Sequence, residues 1–81
     1  MEKITEEAVL NIIQNALKLK EKRLTVNSSM QDVEEWDSLG HLSILVVLDK
    51  FFDGKVGGIK ELAGADSIQK ILQILKDNSL I

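Results

Sequence analysis

The chain has 81 residues, 44% of them apolar, which suits one small domain near the lower limit for a self-supporting core and excludes wholesale disorder. There is no Cys and only one His, so disulfides, thiolate metal sites and native thiol chemistry are excluded, and a zinc or haem site has no basis. The net charge of −3 argues against nucleic acid, whose binding needs concentrated Lys and Arg. The basic residues Lys18, Lys20, Lys22 and Arg23 read as the solvated end of a helix, where cations suit the dipole.

The start of the chain, Met1 to Glu7, lacks the basic flank and apolar stretch of a signal peptide. No apolar run approaches the ~20 residues of a membrane span. The expectation is a monomeric, cytoplasmic, soluble single domain over 1–81, with no membrane or nucleic-acid partner.

The first helix begins at Thr5, a natural cap, with Glu6 and Glu7 favourably placed in its first turn and Lys18 and Lys20 closing it. Val9, Ile12, Ile13, Ala16 and Leu17 follow the spacing of one buried stripe. Periodicity then fades from Glu21 to Asp37. A connection of this length is uncommon in a compact domain and is often functional. Leu24, Val26, Met30, Val33 and Trp36 are expected to pin it to the core.

A second helix runs from about Ser38 to Phe52. Ile44, Leu45, Leu48, Phe51 and Phe52 share a broad arc, which predicts its buried side. The opposite side carries Leu39, Val46 and Val47, relieved only by Ser43 and Lys50. So small a domain cannot readily bury a helix that is apolar almost all round, so this side predicts an exposed docking face. Asp53-Gly54 breaks the helix, and Gly57-Gly58 marks a further turn. Ile59 to Ala63 has room for one short helical turn. The last helix is expected to start at Asp66 with Gln69 reaching back in a capping box, and Ile68, Ile71, Leu72 and Leu75 form its stripe. With no strand pattern and no repeat, the fold class is all-α: a small bundle of three main helices plus a short third one.

Chemistry concentrates at Trp36-Asp37-Ser38-Leu39-Gly40-His41-Leu42, where the long connection meets the second helix. A Ser at a helix N-terminus faces unpaired N–H groups and the positive dipole end, an environment that favours phosphate. Asp and Ser are equally the favoured caps, and composition and periodicity alone read the pair as a plain cap. His41, one turn along, reads as a packed, hydrogen-bonded residue. A triad of Ser38, His41 and a carboxylate is implausible on one short helical segment. Trp36 reads as a loop anchor.

Asp37-Ser38-Leu39 resembles the attachment motif of acyl carrier proteins. The order helix, long loop, motif, second helix, short third helix and fourth helix is similar to that family along essentially the whole chain. The resemblance implies a four-helix carrier fold. It implies that Ser38 receives 4′-phosphopantetheine from CoA through a separate phosphopantetheinyl transferase, with Asp37 as the carboxylate that enzyme and its Mg²⁺ recognise. The arm's thiol would then hold acyl groups as thioesters and deliver them to acyl-transferring, ligating or condensing enzymes, so the protein itself is no enzyme. Leu39 matches the apolar neighbour used in docking, and Ser43, Val46 and Val47 extend that expected face. Leu42, Leu45, Ile59, Leu62 and Ile68 are expected either to line an apolar interior for the acyl chain or simply to pack together. Housekeeping members place acids along the second helix where this chain has Gly40 and Ser43, so the resemblance points to a specialised carrier. Peptidyl and D-alanyl carriers share the architecture, and a helical interaction module with Ser38 as a mere cap is the rival from another class.

Overall fold

A computed structural model describes residues 4–19 and 24–81. Among them the chain forms α1 (Glu6–Ala16), α2 (Ser38–Phe51), a single 3-10 helix (Lys60–Gly64) and α3 (Ile68–Asp77), an all-α bundle without a strand. Lys20, Lys22 and Arg23, read as part of a helix end, lie outside the described residues.

Thr5 caps α1 as its sequence suggests, its hydroxyl accepting from the Ala8 N–H at 3.1 Å. Val9, Ile13 and Leu17 are buried, with Ile12 and Ala16 half-buried beside them. These pack on Ile44 and Leu48 of α2 and on Ile68, Ile71, Leu72 and Leu75 of α3, which together make one core. Glu6 and Lys76 form an ion pair of 2.5 Å between α1 and α3, on the surface.

The long connection reaches the core through Leu24, Val33 and Trp36, all buried, and Met30, half-buried. Its other expected anchor, Val26, is exposed instead. The connection is fastened at two further points. The Leu24 N–H donates to Gln14 Oε1 of α1 at 3.2 Å. An isolated antiparallel bridge pairs Ser29 with Ser67, with Met30 N–H donating to Asp66 O at 2.8 Å and Ile68 N–H to Ser28 O at 3.0 Å.

That bridge corrects the expected start of α3. It holds Ser67 extended, so the helix begins one residue later and Ser67 is its cap, accepting from the Lys70 N–H at 3.2 Å. Asp66 pairs with the Lys70 ammonium instead, at 2.9 Å. Gln69 donates to Asn27 of the connection and forms no capping box.

A second correction concerns α2. Phe51, expected in the buried arc, is 44% exposed, while Phe52 takes the core position at the end of the helix. The two rings meet edge to face at 5.3 Å between centroids.

All three helices close in the same way. Lys18, Asp53 and Ser79 adopt left-handed φ values of 58°, 55° and 60°. The N–H groups of each and of the next residue return to carbonyls in the last turn, as in Leu19 to Gln14, Gly54 to Asp49 and Leu80 to Leu75. These are paired Schellman bonds, formed here without glycine at the left-handed position.

Candidate functional site

The N-terminus of α2 is built by a division of labour between neighbours. Asp37, extended at φ −104° and ψ −165°, is the cap: its Oδ1 accepts from the Gly40 N–H at 2.8 Å, and its carbonyl from the His41 N–H at 2.8 Å. Ser38 is the first helical residue and is exposed. The cap is therefore made without the Ser38 hydroxyl. The N–H groups of Ser38 and Leu39, first in the helix, have no intrahelical acceptor and sit at the positive end of the dipole.

Beneath this corner lies a buried clasp. Trp36 Nε1–H donates to His41 Nδ1 at 3.0 Å, and His41 Nε2 lies 2.8 Å from the Leu62 carbonyl of the 3-10 helix. The indole can only donate and the carbonyl can only accept, so the ring is the tautomer protonated at Nε2. The indole and imidazole planes lie 12° apart with centroids 6.1 Å apart, so the two rings meet nearly parallel, edge to edge through that bond. His41 is 7% exposed, and each ring nitrogen is engaged. The sequence reading of His41 as a packed, hydrogen-bonded residue and of Trp36 as a loop anchor matches this geometry. The missed feature is their mutual bond, which no spacing rule signals.

Gly40 has a steric role. A Cβ there would stand 2.3 Å from the Glu35 carbonyl oxygen and 2.9 Å from Leu17 Cδ2, so the loop and α1 crowd this turn of α2. The position expected to carry an acid in a housekeeping carrier thus has no room for any side chain, and its neutrality is a consequence of packing. Ser43, the other such position, is exposed. From Ser38 to Phe51 only Asp49 and Lys50 are charged, and Asp49 is tied to the Gly57 N–H at 2.7 Å.

The expected docking and interior residues separate clearly. Leu39 is 76% exposed and Val46 47%, with Ser43 exposed and Val47 half-buried. Of the expected interior set, Leu62 and Ile68 are fully buried and Leu45 and Ile59 half-buried against the core. Leu42 is the correction: it is 58% exposed, because its side of α2 faces the surface groove beside α1 and not the core. It joins Ser43, Val46 and Val47 in lining an open groove of about 420 Å³, walled on the other side by Asn15, Ala16 and Lys18.

Comparison with known proteins adds no relative. No family model, curated protein or solved structure matches this chain. Among the described residues no group of His, Asp and Glu side chains could hold a metal ion, and no helix is long and apolar enough to cross a membrane.

Proposed function

We propose that this chain is an acyl carrier protein, bearing its cargo as a thioester on a 4′-phosphopantetheine arm attached to Ser38. The single observation that carries the reading is that Asp37 caps α2 while the adjacent Ser38 hydroxyl stands exposed at the helix start. A serine whose only role is capping would occupy the position that Asp37 holds. Attachment would proceed by attack of Ser38 Oγ on the pantetheine-bearing phosphorus of CoA. The new O–P bond forms as the diphosphate linkage breaks, the nucleotide departs, and the hydroxyl proton passes to a base of the transferase. The resulting phosphodiester suits the free Ser38 and Leu39 N–H groups. Asp37 engages its cap through Oδ1, and its exposed carboxylate would meet the transferase and Mg²⁺.

On this reading the protein catalyses nothing. Tethering raises the effective concentration of the acyl group at docked acyl-transferring, ligating or condensing enzymes. The exposed apolar side chains Leu39 and Val46 suit partners that read shape and apolar surface. The same exposure favours the second reading, a helical interaction module without a covalent arm.

Incubation with CoA, Mg²⁺ and a broad-specificity phosphopantetheinyl transferase decides between them. The carrier reading expects the mass of one arm on the wild type, none on Ser38→Ala with its helicity retained, and one new titratable thiol in a chain that has no Cys. A wild-type protein that stays unmodified by several transferases would leave the interaction module standing.

A further inference from the structure

We infer that the arm on Ser38 rests in the groove between α1 and α2, against Ala16, Leu42, Val46 and Val47, and not in the bundle interior. The inference builds on the carrier reading and names what its arm touches. Four observations support it. The groove measures about 420 Å³, and its apolar wall is contributed by both helices.

Ser38, Leu42 and Val46 follow one another at four-residue intervals, so the groove's exposed wall starts one turn from the attachment point. Val46 lies only about 12 Å along the axis from Ser38. A pantetheine chain easily spans two helical turns.

The lining chemistry also matches the arm. Its gem-dimethyl and methylene groups find Ala16, Leu42, Val46 and Val47, while its amides and hydroxyl find the rim formed by Asn15, Ser43 and Lys18. Another depression, of about 330 Å³, has a mainly polar lining that includes Glu6, Gln69, Gln73 and Lys76. Finally, the interior route is filled: Leu62, Ile68, Ile44 and Leu48 are fully buried against one another, and His41 is bonded to the Leu62 carbonyl between α2 and the 3-10 helix.

The test compares unmodified and modified protein by NMR. The expected result is a set of nuclear Overhauser contacts from the arm's gem-dimethyl to the methyls of Ala16, Leu42, Val46 and Val47. In Leu42→Ser, whose side chain is largely exposed, those contacts should weaken while the amide spectrum of the core is kept. A short tether gives a local concentration on the order of millimolar, so a groove of weak affinity is about half-occupied and the thiol should react about twofold faster with a bulky disulfide in Leu42→Ser. Contacts to Leu45, Ile59 or Leu62, or changes confined to residues 36–40, would overturn the groove and leave the carrier reading intact. Failure of the wild type to gain the arm's mass would overturn both.

Discussion

At the residue scale the corner around Ser38 is held by side chains with one job each. Asp37 closes the helix end, Gly40 admits the Glu35 carbonyl, and His41 joins Trp36 to Leu62. His41→Ala would strand a buried indole N–H and a buried carbonyl, each worth about 1–3 kcal/mol. The expected loss is therefore ~2–6 kcal/mol in urea unfolding, accompanied by a shift in the emission of the single Trp. His41→Gln, which has both a donor and an acceptor, should recover part of it. A loss comparable to that of an exposed substitution would show that the clasp contributes little.

At the scale of the element, each helix is well started and awkwardly finished. Thr5, Asp37 and Ser67 cap α1, α2 and α3 through their side-chain oxygens. The left-handed closing residues are Lys18, Asp53 and Ser79, where a Cβ is unfavourable. Replacing each by Gly should raise stability by ~0.5–1 kcal/mol, read as a higher urea midpoint at constant slope. No gain at any of the three would mean that local hydrogen bonds from the native side chains offset the backbone strain.

The start of α3 gives a second contrast. Ser67→Ala should cost ~1 kcal/mol as a lost cap, whereas Asp66→Asn, which touches only an exposed ion pair, should change thermal stability much less. The Lys70 ammonium, by hydrogen bond and by charge, holds the Asp66 carboxyl below its ordinary value. Its contribution is thus present above the unfolded-state value and disappears as pH falls through the lowered one. A pH titration of wild type against Asp66→Asn should converge at the acid end. If the two differed equally at every pH, the ion pair would not be the cause.

For the molecule as a whole, the apolar face of α2 and its lack of net charge bear on partner choice. On the proposed carrier reading, a row of acids on α2 would steer basic enzymes at long range. Here that helix is neutral, and acids gather before it at Asp32, Glu34, Glu35 and Asp37. The modified protein should therefore be a poor substrate for a fatty-acid-synthase malonyl transferase beside a housekeeping carrier, with a shallow dependence on salt. Loading at equal efficiency with a steep fall as salt rises would contradict the reading of a specialised carrier.

The sequence alone determined which segments are helical and which residue begins α2, because caps and 3.6-residue stripes are local properties of the chain. The stripes of α1 and α3 and the fully buried Ile44 and Leu48 were legible in this way. Periodicity ranks the sides of a helix but does not say how far round its neighbours reach. Only the tertiary structure decided that Phe51 and Leu42 stay exposed, since α1 and the 3-10 helix cover part of an α2 that is apolar almost all round. Long-range pairing also lay beyond the sequence: the Ser29–Ser67 bridge moved the start of α3, and Trp36, His41 and Leu62 met across the fold. Ser38 was legible as a candidate from its neighbours, but its freedom from capping followed from the backbone geometry that gave that task to Asp37.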